Sequence, residues 1–168
     1  IYGSNASGKS NVLKALAYFR RLMVYTPSDK NEQMKWVPFL LDDVSRSGHC
    51  RMSMTFYLEG KRYILSVEFD NTRIYEEQLD VYLTNRPTSL YRRTYNRETD
   101  SSEVIFSAKT KLSQKSQTII EGNTINNCTV LAAFGKSNVE LSLLNSVYDF
   151  FSLAFADELT PEKSLSDY

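Results

Sequence analysis

The sequence predicts a mixed α/β fold (α+β within this stretch), in which a glycine-rich loop and a helix precede an antiparallel sheet and further helices. Apolar residues recur at helical spacing directly after the glycine-rich stretch. From Arg51 apolar and polar residues alternate, as in half-buried strands, and helical spacing returns from about Thr124. The 168 residues therefore divide into 1–49 (loop and helix), 50–108 (antiparallel β subdomain) and 109–168 (helical segment) of one domain.

Composition excludes several classes of protein. The chain has 20 Lys+Arg against 20 Asp+Glu, and this balance argues against a strongly basic nucleic-acid module, though not against a local basic patch. No apolar run approaches the ~20 residues that span a bilayer, so we expect no membrane segment. Cys50 and Cys128 are too few for a disulfide framework and lack metal-ligand spacing, which predicts a reducing cytoplasm.

The glycine-rich loop carries the chemistry. It matches the phosphate-binding pattern G-x-x-x-x-G-K-[ST] with Gly3, Ser4, Asn5, Ala6, Ser7, Gly8, Lys9 and Ser10. The helix that follows has an apolar stripe of Val12, Leu13, Leu16, Phe19, Leu22 and Met23, and we end it near Tyr25. This context, a loop that runs into a helix, is the one that phosphate binding requires.

The residue types of this loop suit a nucleoside triphosphate and Mg²⁺. The first turn of a helix leaves backbone N–H groups unpaired, and the helix dipole favours an anion there. Gly3 and Gly8 let the backbone curl around the phosphates. Lys9 is the candidate catalytic residue, because it can reach the β- and γ-phosphates, and the Ser10 hydroxyl is the candidate Mg²⁺ ligand. Only two residues precede the loop where a whole strand is expected, so the sequence looks like a piece of a longer protein.

The residues between the glycines resemble a known family. Asn5 to Leu16 read N-A-S-G-K-S-N-V-L-K-A-L, which resembles the loop of the OLD-like AAA ATPases and, more distantly, that of the ABC-type SMC and RecF group. Ala6 stands where the SMC pattern has glycine, which favours the OLD-like branch. The resemblance implies a P-loop NTPase fold of ABC type, with Asn5 beside the γ-phosphate and Asn11 near the α-phosphate of bound ATP.

Later segments also resemble this family. Arg73–Leu79 resembles its "I-x-E-E-x-L" strand, and Leu90–Arg93 resembles its "L-[FY]-x-R" segment. Val130–Phe134 and Val147–Phe151 are similar to the two helices that follow.

The elements after the first helix are predicted from periodicity. Thr26 to His49 is predicted as a loop with one short element at most. The strands are predicted at 51–58, 63–69, 73–83, 90–95 and 104–107, with turns at Glu59-Gly60 and Asp70-Asn71. Two helices complete the prediction: one over Ile125, Val130, Leu131 and Phe134 that stops near Gly135, and one over Leu141, Leu144, Val147, Tyr148, Phe151 and Phe155.

Five further motifs have competing interpretations. Leu112–Gln117 resembles the L-S-G-G-Q signature, but Lys115 occupies a glycine position, so a polar loop is preferred. Phe150–Glu158 imitates a Walker B strand but continues a helical stripe, so a helix end is preferred.

Tyr91–Arg97 interleaves cations with aromatics, as a nucleic-acid contact does, although a solvated strand face would look the same. In each of the pairs His49-Cys50 and Glu76-Glu77, the two adjacent strand residues point to opposite faces of the sheet. A metal site at the first pair and a catalytic pair of carboxylates at the second are therefore not preferred. For the glutamates we expect a solvated or paired surface role.

The functional prediction is ATP binding with Mg²⁺. The resemblance implies that the intact protein hydrolyses ATP and forms a homodimer through the nucleotide, in DNA processing or phage defence, and DNA is a further candidate partner. We find neither a Walker B glutamate nor a signature in this stretch, so we expect it to bind nucleotide weakly and to hydrolyse none by itself. A P-loop kinase or GTPase and a non-catalytic interaction module stay open as alternatives, although no N-K-x-D guanine element occurs.

Overall fold

A computed structural model describes residues 9–35 and 48–154 of the chain, with side chains from residue 11 to residue 153 within these ranges. Helix α1 spans Lys9–Val24. Five strands follow, at Cys50–Leu58 (β1), Lys61–Phe69 (β2), Ile74–Tyr82 (β3), Pro87–Asn96 (β4) and Ser101–Phe106 (β5). A short 3₁₀ turn at Ala108–Thr110 precedes helices α2 (Gln114–Asn123), α3 (Val130–Lys136) and α4 (Ser142–Asp149), and α4 continues into a π-helical segment, Phe150–Ala154.

The strands form one antiparallel sheet in the order β1-β2-β3-β4-β5, so each strand pairs with its neighbours along the chain. This confirms the predicted meander, with strand ends that differ by a few residues. The β1–β2 turn consists of Glu59 and Gly60, whose φ angles of 50° and 73° are those of a two-residue hairpin of the primed type. That type of turn matches the twist of the two strands that it joins.

One face of the sheet is apolar and is covered by the helices. On β2 the residues Tyr63, Leu65, Val67 and Phe69 are at most 1% exposed, as the alternation predicts. The register between β3 and β4 shifts after Leu79, and both Leu90 and Tyr91 are buried there. The Tyr18 ring of α1 stacks on the Phe69 ring of β2, with centroids 5.7 Å apart. The Phe150 ring stacks on the Phe56 ring of β1, with centroids 5.0 Å apart.

Two helix predictions need correction. The segment 125–128 is not helical: α3 begins at Val130, because the Thr129 hydroxyl caps it by accepting a hydrogen bond from the Ala132 amide at 3.1 Å. The predicted end near Gly135 is confirmed, since α3 ends at Lys136, and Gly135 lies in its last turn, against the Tyr148 ring.

The second correction concerns the segment that was predicted as a polar loop around Leu112–Gln117. It contains the start of α2, because Ser113 caps the helix by accepting a hydrogen bond from the Ser116 amide at 3.1 Å. The last predicted helix is confirmed as α4 with its π-helical continuation, in agreement with the helix-end interpretation of residues 150–154. Phe155, Asp157 and Glu158 lie outside the described residues.

Within residues 9–35 and 48–154, no helix combines the length and the apolar character that crossing a membrane demands.

Candidate nucleotide-binding site

Helix α1 contains the last two residues of the glycine-rich motif, Lys9 and Ser10. The side chains of Lys9 and Ser10 lie outside the described residues, as do the loop residues Gly3, Ser4, Asn5, Ala6, Ser7 and Gly8. Asn11 is exposed in the first turn of the helix. The first described turn of α1 holds no acidic residue, so an anion bound there would meet no carboxylate from this turn.

The two halves of α1 differ in burial. Residues 11–14 are exposed, with Val12 at 51% and Leu13 at 43%, whereas Phe19, Leu22 and Met23 in the second half are at most 8% exposed. The end of the helix that carries the motif therefore projects from the described part of the domain. The opposite end is held in the core.

Contacts with the π-helical segment hold this second half. The Arg20 guanidinium donates hydrogen bonds to the Phe151 carbonyl at 2.9 Å and to the Ser152 carbonyl at 3.3 Å. The Phe19 ring meets the Phe151 ring edge to face, with centroids 5.9 Å apart. A charged donor and an aromatic pair thus fix α1 against Phe150–Ala154.

The inner face of the sheet contains a buried carboxylate that the sequence analysis placed at the surface. Glu77 is 1% exposed, because residue 77 points toward the helices while Glu76 points to solvent. Its Oε2 accepts a hydrogen bond from the Val130 amide at 2.7 Å, and its Oε1 accepts bonds from the Tyr91 hydroxyl at 2.6 Å and the Leu131 amide at 3.4 Å. Glu77 therefore binds the start of α3, where the helix dipole favours a negative charge.

Arg93 lies opposite Glu77 on the neighbouring strand and is also fully buried. Its guanidinium donates to the carbonyls of Cys128, Ile125 and Asn126 at 2.6, 3.2 and 3.3 Å. Tyr91 and Arg93 point into the core and cannot reach a surface ligand. Both interpretations of Tyr91–Arg97, as a nucleic-acid contact and as a solvated strand face, are therefore wrong for these two residues.

Burial governs the protonation of this cluster. Burial raises the pKa of Glu77. The hydrogen bonds from Tyr91 and the two amides, together with the Arg93 charge, lower this pKa but do not outweigh burial. Burial also raises the pKa of Tyr91, which the neighbouring Glu77 charge raises further. For Arg93, burial lowers the pKa and the Glu77 charge opposes this. Each charge thus favours the charged form of the other group, while burial acts against both charges.

The segment whose carbonyls Arg93 binds, Ile125–Thr129, joins the sheet to the end of α1. We call it the connecting segment. Its Thr129 hydroxyl donates to the Leu22 carbonyl in the last turn of α1 at 2.8 Å. The Asn127 side-chain amide donates to the carbonyls of Asp29 and Glu32 in the loop after α1, at 3.0 and 2.7 Å. Sequence reasoning missed Thr129 and Asn127, although a threonine before an apolar run is a helix-start signal.

The remaining candidate motifs have structural roles. His49 Nδ1 lies 3.1 Å from Glu68 Oε1, and its ring stacks on Tyr75 at a centroid distance of 3.7 Å. Glu76 is paired with Arg51 at 2.8 Å, as expected for a surface glutamate. No group of three or more His, Cys, Asp or Glu suited to a metal ion occurs in the described part of the chain.

Comparison with protein families gives one match. Residues 1–118 match the family model described as "AAA domain, putative AbiEii toxin, Type IV TA system". No curated protein and no solved structure matches the chain. The matched range covers the glycine-rich motif, α1 and the whole sheet, and a loop-to-helix junction of this kind is where a P-loop ATPase binds nucleotide. The chain belongs to this AAA domain family of P-loop ATPases.

Proposed function

We propose that the chain binds ATP with Mg²⁺ at the start of α1. The observation that carries this proposal is that Lys9, the lysine of the P-loop motif, lies in helix α1, and that the family match covers both the motif and this helix. The motif provides an ammonium group and a hydroxyl next to helix amides that lack an intrahelical partner, and this donor set fits a polyphosphate and a hard divalent cation.

The residues have distinct roles in this proposal. Gly3 to Gly8 provide backbone amides for the phosphates, and Lys9 places a positive charge beside the β- and γ-phosphates. Ser10 is the residue that would hold Mg²⁺, which when bound neutralises phosphate charge. Asn5 lies beside the γ-phosphate and Asn11 near the α-phosphate in the family that the loop resembles.

We also propose the finer classification and the biological setting. The loop sequence and the antiparallel sheet after α1 support an ABC-type, OLD-like ATPase. In such a protein the nucleotide joins two P-loop domains, and hydrolysis separates them again. The intact protein would then be a cytoplasmic ATPase that dimerises through ATP, in DNA processing or phage defence. A small-molecule kinase is less favoured, since the strands after α1 form an antiparallel meander in place of parallel β-α-β units.

The test is a titration of the chain with a fluorescent ATP analogue, with and without Mg²⁺. Lys9→Ala removes the proposed phosphate ligand. A charge-assisted hydrogen bond contributes ~1.5–3 kcal/mol, so affinity should fall by roughly 10- to 100-fold. Lys14→Ala is the matched control, because Lys14 is an exposed lysine that lies five residues after Lys9 in the same helix. Its removal should leave the affinity within about twofold.

Other outcomes distinguish the alternatives. Competition by unlabelled ATP and GTP with equal strength argues against a guanine-specific site. Equal loss of affinity in both lysine variants would show that only general positive charge attracts the nucleotide. Saturable phosphate release by this chain, abolished in Lys9→Ala, would overturn the expectation that it lacks a complete hydrolytic site.

A further inference from the structure

Within the described residues, the contacts that hold α1 lie in its second half, away from the motif. Residues 11–14 are exposed in the described part of the chain, whereas Phe19, Leu22 and Met23 are buried. Lys9 and Leu22 are separated by 13 helical residues, or about 20 Å. A tilt of about 5° at the buried end would therefore move the start of the helix by roughly 2 Å, and misplacements of this size are large for a binding site.

Thr129 connects this buried end to two other parts of the fold. Its hydroxyl donates to the Leu22 carbonyl at 2.8 Å and accepts from the Ala132 amide at 3.1 Å. One oxygen atom thus closes the last turn of α1 and the first turn of α3. Thr129 is 1% exposed, so water cannot replace either bond.

The sheet fixes the place of Thr129. Glu77 binds the amides of Val130 and Leu131, immediately after Thr129, and Arg93 binds the carbonyl of Cys128, immediately before it. Glu77 of β3 therefore holds the start of α3, and Arg93 of β4 holds the connecting segment, on either side of Thr129. Through Thr129 this arrangement transmits the position of the sheet to α1.

We infer that Thr129 is a positioning residue for the nucleotide site, acting through α1 on the motif about 20 Å away. This inference rests on the proposed ATP site. It extends the site to a residue that touches no nucleotide, and by reciprocity bound nucleotide must stabilise the bonds that Thr129 makes.

Two substitutions of Thr129 separate its hydroxyl from its shape. Thr129→Val keeps the volume and removes both hydrogen bonds, whereas Thr129→Ser retains the hydroxyl. We expect Thr129→Val to raise the Kd for a fluorescent ATP analogue about fivefold, or about 1 kcal/mol at 1.4 kcal/mol per factor of ten. Thr129→Ser should stay within about twofold of the wild type.

Ser113→Ala is the matched control. It removes a helix cap of the same kind from α2, and the Ser113 hydroxyl bonds to Ser116 and not to α1. We expect it to lower the midpoint of thermal unfolding and to leave the Kd unchanged. A fall in ATP affinity in Ser113→Ala as well would overturn the inference, since general destabilisation would then explain the effect.

Hydrogen exchange provides a readout in the wild-type chain that does not depend on how well a variant folds. Saturating ATP analogue should slow exchange of the Ala132 amide, which Thr129 binds, and leave the Ser116 amide unchanged. If bound nucleotide leaves the exchange rate of the Ala132 amide unchanged, the inference fails and the proposed function stands. The same holds if Thr129→Val binds the ATP analogue with the Kd of the wild type. Absence of any ATP binding by the wild type would overturn the proposed function together with it.

Discussion

The buried carboxylate of Glu77 permits a sharp test of how the sheet holds the helices. We expect Glu77→Gln to destabilise the protein strongly, although the amide has nearly the same shape. The carboxylate accepts hydrogen bonds from three donors, at 2.6, 2.7 and 3.4 Å. An amide offers one accepting oxygen, and its NH₂ group must face one of these donors. It also leaves Arg93, which is 0% exposed, without the negative charge opposite it.

The expected magnitude follows from the lost acceptor. A buried donor left without its acceptor costs about 1–3 kcal/mol, and the upper value applies because the lost acceptor is a charged oxygen. A loss of about 3 kcal/mol is a large share of the ~5–15 kcal/mol by which most proteins are stable. At roughly 2–4 °C per kcal/mol, the midpoint of thermal unfolding should fall by about 6–12 °C.

The assay is urea unfolding followed by circular dichroism, with Glu76→Gln as the control. Glu76 is the neighbouring residue, and its side chain is 43% exposed and paired with Arg51, so its loss should cost at most about 1 kcal/mol. If the two variants unfold at the same urea concentration, the reasoning fails. The Glu77 carboxyl would then be neutral in the folded state and would not compensate Arg93.

Three further predictions concern separate sites. Gly135→Ala should destabilise the protein by about 1–3 kcal/mol, because the new methyl group would overlap the Tyr148 ring. Gly122→Ala should stabilise α2 by up to about 1 kcal/mol, because the space around Gly122 is open. Urea unfolding measures both changes. Burial opposes ionisation of Asp70, but hydrogen bonds from two hydroxyls and two backbone amides outweigh it and lower its pKa. The stability that this carboxylate adds should therefore be present above about pH 4 and disappear as the pH falls through the lowered pKa, so the unfolding free energies of the wild type and Asp70→Asn should converge in acid. Burial raises the pKa of Cys128 to about 12, so a thiol reagent at pH 7 should label it only when the chain unfolds; rapid labelling under native conditions would contradict the burial.

The sequence was sufficient to predict the sheet, because strand signals are local. Met52, Met54 and Phe56 alternate with Arg51, Ser53 and Thr55, and burial in β1 follows this alternation. The helix after the glycine-rich motif was also predictable, since its apolar stripe is a local pattern, and α1 includes the residues of this stripe. Both features depend on residues that are close in the sequence.

The positions of Glu77 and Arg93 were not predictable in the same way. The alternation shows that adjacent residues of β3 face opposite sides, but it does not show which of the two glutamates faces the core. That choice depends on amides at 130 and 131, more than 50 residues away, and on the carbonyls of the connecting segment. The start of α3 depends in turn on the Thr129 cap and on Arg93, whose ligands no local pattern indicates.

The direct register of Glu77 opposite Arg93 has a consequence for how the chain folds. The two residues belong to consecutive strands, so a β3–β4 hairpin brings the opposite charges together before any helix has docked. We expect both side chains to stay hydrated until α3 and the connecting segment pack over them with their amides and carbonyls. Because the strands pair strictly in chain order, the sheet closes only short loops, and we expect the burial of these two groups to be a late step of folding.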